Sequence, residues 1–290
     1  MKRLVNLSMT LSVLLYSIGV VEQAVAQYAA AVVSYDAGTT PASGYTNPSV
    51  ALGEPERYTG EGVFPGIVSP FSPPFLNSEI VSVGEGGHIT LKLSHFVMPQ
   101  AGLEIGVFEN AGLEMDFANF TAMDPISTFG DDHAFVEVSA NGINWKSLSP
   151  TAIYFNRPSN GYTDLSDPFS SVPGSALALA DFQQPFDADL SEFAGLPYSD
   201  PSGPDVLEVL AGSGGGTWLD ISSTGLPRVG YIRFSVADDF TGIGQNFELD
   251  AVSIAHGAVG SPVPEPATIV NVLVLFASTV LSRRRRRAFA

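Results

Sequence analysis

The sequence predicts an all-β fold, an antiparallel β-sandwich of the jelly-roll type, and three observations carry that expectation. Apolar and polar residues alternate with the two-residue period of a half-buried strand at several places. Turn residues separate these short runs, which is the pattern of sandwiches and jelly rolls. The chain has no cysteine, so a domain of this kind must rest on an apolar core, and nineteen phenylalanines are available to build one. No repeat of 20 to 50 residues is evident, which argues against propellers and solenoids.

The first clear strand is residues 88–97, where Ile89, Leu91 and Leu93 alternate with Thr90, Lys92 and Ser94. Residues 103–108 and 134–139 are the next two. Asn141-Gly142 follows as a hairpin signal, because both central residues of a type I′ turn need positive φ. The returning strand is 143–148, with Trp145 expected to pack inward. Further strands are expected at 206–210, 218–222, 229–236 and 247–255. The inward set comprises Ile89, Leu91, Leu93, Val107, Val136, Val138, Trp145, Ile232, Phe234, Leu249 and Ala251. Residues 53–77 and 163–204, rich in proline, glycine and aspartate, read as loop excursions, the second with one short helix over 176–182.

Both ends carry targeting patterns. Lys2 and Arg3 precede an apolar stretch over 11–21, and Ala24-Val25-Ala26 places small residues three and one before a cut between Ala26 and Gln27. That is the pattern of a cleavable signal peptide, read by the export machinery and signal peptidase. Residues 267–282 are sixteen uncharged residues that read as a single transmembrane helix, followed by five arginines at 283–287. Flanking arginines resist translocation, so this tail is expected to keep the C-terminus cytoplasmic. The expected organisation is a signal peptide at 1–26, a β-sandwich domain at 27–256, a linker at 257–263 and a sorting tail at 264–290.

Charge narrows the partners. Residues 28–260 hold six basic side chains against 28 acidic ones, a net charge of −22. Such a surface repels nucleic acid and anionic headgroups and attracts divalent cations. Catalytic patterns are absent: the four histidines show no HExxH spacing, there is no G-x-S-x-G elbow, and the glycine run at 212–216 is not followed by a helix-opening lysine. No catalytic residue is assigned and the chain is read as non-enzymatic. Calcium needs only several oxygens from Asp, Glu and neighbouring carbonyls. The candidate ligands are Asp131, Asp132, Asp238, Asp239, Glu248 and Asp250; the first four are placed in loops, and Glu248 and Asp250 on one face of the last strand. For each, the alternative is a solvated surface acid.

The tail, Val263-Pro264-Glu265-Pro266-Ala267-Thr268 followed by an apolar segment and a terminal arginine cluster, resembles the PEP-CTERM sorting signal of exported bacterial surface proteins. The resemblance implies recognition by an exosortase, a membrane-embedded processing enzyme, with Pro264, Glu265 and Pro266 as the processing motif and the membrane as a partner until the tail is cut. The middle of the chain is similar to uncharacterised bacterial surface proteins of the galactose-binding-like jelly-roll group. The residues concerned are Tyr45-Thr46-Asn47-Pro48, Ala51-Leu52-Gly53-Glu54-Pro55, residues 83–91, Val107-Phe108-Glu109-Asn110, residues 136–142 and residues 247–252. That likeness implies a cell-surface or extracellular-matrix binding role, with extracellular polysaccharide as partner. An exported glycoside hydrolase and a purely structural or adhesive matrix protein are the alternatives.

Overall fold

A computed structural model of the chain describes residues 27–60, 66–115, 123–170, 178–238 and 246–264. Over these the protein is all-β, built from two antiparallel sheets packed face to face. The strands are β1 (Ala29–Asp36), β2 (Val81–Gly84), β3 (His88–Val97), β4 (Ile105–Glu109), β5 (Gly112–Met115), β6 (Met123–Phe129), β7 (Asp132–Ser139), β8 (Trp145–Ser147), β9 (Ile153–Phe155), β10 (Thr217–Leu219), β11 (Val229–Ser235), β12 (Asn246–Ile254) and β13 (Val259–Pro262). The larger sheet runs β1-β3-β11-β7-β8, with β13 also on β3 and β9 also on β7. The second runs β10-β4-β12-β2, and β5 pairs with β6 in a separate ribbon.

Alternation decides which residues face the core. Ile89, Leu91 and Leu93 of β3, Val136 and Val138 of β7 and Ile232 and Phe234 of β11 are all buried on the inner face of the larger sheet. Val107, Leu249 and Ala251 are buried in the second sheet. Phe234 and Phe247, one from each sheet, stack with ring centroids 5.0 Å apart, and Phe155 lies 5.9 Å and 5.0 Å from them. This aromatic junction joins the two sheets, and full burial of each ring contributes about 2 to 3 kcal/mol.

Several elements differ from the sequence reading. Residues 206–210 are an α-helix, α1 (Val206–Leu210), not a strand. Asp205 caps it by accepting the Glu208 N–H at 2.7 Å, and Val206 and Leu210, four apart, meet on the buried side. The hairpin after β7 is no type I′ turn. Gly142 has φ +71, but Asn141 is not left-handed; its Oδ1 accepts the N–H groups of Ile143 and Asn144, and Ser139 Oγ those of Asn141 and Gly142. This side-chain-held loop shortens the return strand to β8. It also leaves Ile143 78% exposed and puts Trp145 opposite Ser139, on the outer face of the sheet and not in the core. Within the stretch read as a surface loop over 53–77, the described residues from 66 onward pack inward, with Ile67, Val68 and Phe71 buried. Of the helix expected over 176–182, residues 178–182 are instead bridged in extended form to Tyr162 and Ser213, and 176–177 lie outside the described residues. The stretch read as a linker contributes β13, which pairs with β3, and buries Ala258 and Val263.

The two ends of the described domain meet on β3. Ser94 donates its N–H to Tyr28 O and accepts the Val263 N–H at its carbonyl. Among the described residues no helix is long and apolar enough to cross a membrane. The expected span over 267–282, the motif residues Glu265 and Pro266, and Ala26 of the expected signal cut lie outside the described residues. Pro264 is exposed, immediately beyond the paired Val263.

Candidate binding face

The outer face of the larger sheet carries the side chains that alternation turns away from the core. Register aligns them in rows. Thr90, Arg233 and Glu137 face one another across β3, β11 and β7. Tyr231, Ser139 and Trp145 form the next aligned set, and His133 pairs with Tyr154 further along. From His133 to Ser139 the face extends about 20 Å at the usual strand rise. Both ends are aromatic: the His133 and Tyr154 rings lie 4.0 Å apart at one, with Tyr154 58% exposed, and Trp145 and Tyr231 stand half-buried at the other.

Arg233 is the centre of this face. Its Nε donates to Thr90 Oγ1 at 3.1 Å, its Nη1 donates to Glu137 Oε2 at 3.3 Å, and its guanidinium lies over the Trp145 ring, 4.0 Å from the centroid. The half-exposed ion pair and the cation–π contact are worth on the order of 0.5 to 1 kcal/mol each, so their main effect is to fix the guanidinium plane. A guanidinium has five N–H donors, and two are engaged here. Beside it opens a cleft of about 430 Å³ lined by Gly86, Gly87, His88, Glu137, Arg233, Ser235 and residues 236–238. That volume lies in the range of small-ligand sites. Glycine backbone forms one wall. A Cβ on Gly86, whose φ is +71, would lie 2.3 Å from the Asp238 carboxylate, and the Gly86 N–H is held by Val236 O. His88 is positioned by a 3.1 Å hydrogen bond with Ser34 Oγ. Burial lowers the His133 pKa, partly opposed by the charge of Asp131.

The six calcium candidates do not form one site. Asp238 belongs to this cleft, on the opposite side of the sheet from the core, and Asp239 lies outside the described residues. A bulge in β12 between Leu249 and Ala251 separates Glu248 from Asp250. Asp250 is 1% exposed and accepts the Glu56 N–H with both oxygens, at 3.1 and 3.3 Å. Burial pushes its pKa well up. Asp132 is no loop acid: it opens β7, is 5% exposed, and accepts the Glu248 N–H at 2.6 Å. Glu248 in turn accepts from the side-chain amides of Asn110 at 2.6 Å and Asn246 at 2.8 Å. The solvated-acid reading therefore fails for Asp132 and Asp250.

The structure adds an acid the sequence reading passed over. Glu109, at the end of β4, is 1% exposed and sits opposite Leu249. Its pKa is raised well above the carboxylate range by burial and then by the charges of Asp132, Glu248 and Asp131. Burial, then Glu248, raises Asp132 in the same way. The only advance signal was a charged residue closing the apolar run Ile105-Gly106-Val107-Phe108. Among the described residues, no three carboxylate or imidazole side chains stand ready to ligate one metal ion together. The chain matches no family model and no curated protein.

Proposed function

We propose that the protein is an exported, surface-held, non-catalytic binding module that takes carbohydrate on the outer face of its larger sheet. The observation that carries this reading is Arg233, held on three sides by Thr90, Glu137 and Trp145 at the edge of a polar cleft with N–H donors to spare. Sugar hydroxyls both donate and accept, and the cleft offers both: guanidinium N–H groups beside the carboxylates of Glu137 and Asp238 and the imidazole of His88. The carboxylates in the cleft and the net charge of −22 over residues 28–260 favour a neutral saccharide over an anionic one. Tyr154, Tyr231 and Trp145 supply ring faces along the same surface for the apolar faces of sugar rings.

In this reading the two sheets form a jelly roll of the galactose-binding-like type. The signal peptide exports the domain, and the Pro264-Glu265-Pro266 tail is processed by an exosortase-type enzyme. The position of the ends supports presentation outward: Tyr28 and Val263 meet at Ser94, and the cleft lies at His88, six residues and about 20 Å along β3. A tail that tethers the domain thus leaves the cleft facing away from the membrane. The hydrolase alternative would have to use Glu137 and Asp238, the carboxylates of the open cleft, because Glu109 and Asp132 are sealed from substrate; Glu137 is already engaged by the Arg233 guanidinium.

A glycan array probed with calcium and with chelator tests the reading. Reproducible binding to neutral saccharides, reduced by Arg233→Ala, is the expected result. Hydrolysis of an arrayed glycan would favour the enzyme, and silence under both conditions would favour a purely structural role.

A further inference from the structure

We infer that Glu109 and Asp132, with Glu248 beside them, form an interior site for a divalent cation of the calcium class, at the same end of the sandwich as the cleft. The strand ends place it there: β4 finishes at Glu109, β7 begins at Asp132, and β12 begins two residues before Glu248. The inference is independent of carbohydrate binding.

Three observations carry it. Glu109 is buried, yet neither carboxylate oxygen has a hydrogen-bond partner. A buried polar group without a partner is costly whether charged or neutral, and native structures rarely tolerate one without a bound water or ion. The same strand region shows how this chain treats a buried acid that serves the fold alone. Glu104, fully buried five residues earlier, accepts the Gln100 N–H at 2.7 Å with one oxygen and the Ile221 N–H at 3.0 Å with the other. Glu109 has no such donors, although β12 pairs Leu249 with it and the adjacent Glu248 N–H holds Asp132.

The second observation is that, among the described residues, no basic side chain forms an ion pair with these acids. Among the described residues, the acids in ion pairs are Glu54, Glu137, Asp181 and Asp189, none of them in this cluster. The third is the bracing of the outer members. Asn110 and Asn246 hold the Glu248 carboxylate, and the Glu248 N–H holds Asp132 Oδ2, so acidic oxygens are fixed beside a side chain whose own two oxygens have no hydrogen-bond partner. Hard oxygen donors and no nitrogen or sulfur ligand select calcium or magnesium over zinc. Calcium is preferred because it accepts irregular geometry and sheds water more readily than magnesium. Glu109 supplies a bidentate carboxylate, Asp132 a second anionic ligand, and backbone carbonyls or water complete the shell. Since no three side chains already stand as a closed set, the carboxylates must turn inward on binding. The dissociation constant is therefore expected in the weak range of extracellular sites, roughly 10⁻⁴ to 10⁻³ M.

The test uses the full chain in detergent, stripped with chelator, with calcium alone as the probe. Unfolding temperature should rise by several degrees on adding calcium at concentrations well above that range, and terbium should bind with sensitised emission that calcium displaces. Glu109→Gln should abolish both effects without lowering the unfolding temperature of the stripped protein. Asp132→Asn, which keeps an acceptor for the Glu248 N–H, should weaken both, and Asp187→Asn at an exposed position should change neither. A wild-type protein indifferent to calcium and terbium overturns the site. So does an unchanged calcium response in Glu109→Gln, which would place the ion elsewhere.

Discussion

Lowering the pH from 7.5 to 5 should stabilise this protein, and Glu79 allows the effect to be sized. Its carboxylate is 5% exposed and accepts the N–H groups of Phe75 and Leu76, both at 3.0 Å. Burial, the dominant influence, raises its pKa from 4.5 to about 7 despite those two bonds. A carboxyl whose pKa is higher folded than unfolded binds its proton more tightly in the native state. Its stabilising contribution is complete below the unfolded value and is lost as pH rises through the folded one. For Glu79 the window is pH 4.5 to 7, and at about 1.36 kcal/mol per unit the loss amounts to about 3 kcal/mol. Asp250 and Glu56, both raised first by burial, act in the same direction. Urea unfolding of residues 27–264 in chelator, at pH 5, 6, 7 and 8, should show stability falling across the series. Glu79→Gln keeps an oxygen for the two N–H groups and should flatten that fall by about 2.5 kcal/mol, the part of the window that lies above pH 5. A wild-type protein that gains stability from pH 5 to 7, or a Glu79→Gln profile parallel to it, would show that Glu79 does not hold its proton more tightly in the folded state.

Other perturbations address the core, the end of β2 and the tail. Leu91→Ala, at a fully buried site on the inner face of β3, should cost about 2 to 5 kcal/mol in the same unfolding assay. Gly84→Ala should destabilise by more than about 1 kcal/mol and shift the cleft wall, because the added Cβ would lie 2.1 Å from Thr39 O; unchanged unfolding would contradict that packing. Deleting residues 283–287 should mislocalise the protein, whereas Glu265→Ala should leave it membrane-held but unprocessed, as judged by intact mass of surface material. Wild-type surface material retaining residues 267–290 would make the tail a permanent anchor.

The legible part of the fold was the part where one residue property decides the outcome. In β3, β7 and β11 the inward positions follow from a two-residue period, and register then fixes the outer row, Arg233 included. Trp145 was misplaced because the turn before it depends on Ser139 and Asn141 side chains competing for backbone N–H groups. That contest moves the ring to the other face. Residues 206–210 failed for a related reason: two β-branched valines suggest a strand, but one aspartate cap and a four-residue spacing of buried side chains make a helical turn. The acids were least legible. Asp132, Asp250 and Glu109 look like three of 28 surface charges in the sequence, and only pairing between distant strands shows that they are interior. Glu109 and Asp132 are brought together by β12, which bonds to the first through β4 and to the second through its Glu248 N–H.

Isothermal titration of wild-type protein and Arg233→Ala with a neutral oligosaccharide selected on the array measures whether saccharide binds at the Arg233 cleft. Loss of a fixed, charge-assisted donor should weaken the wild-type affinity by roughly 10- to 100-fold, equivalent to about 1.5 to 3 kcal/mol, with the unfolding transition otherwise intact. Equal affinity of the two proteins, or no heat of binding with any arrayed saccharide, would mean that Arg233 does not form a saccharide site.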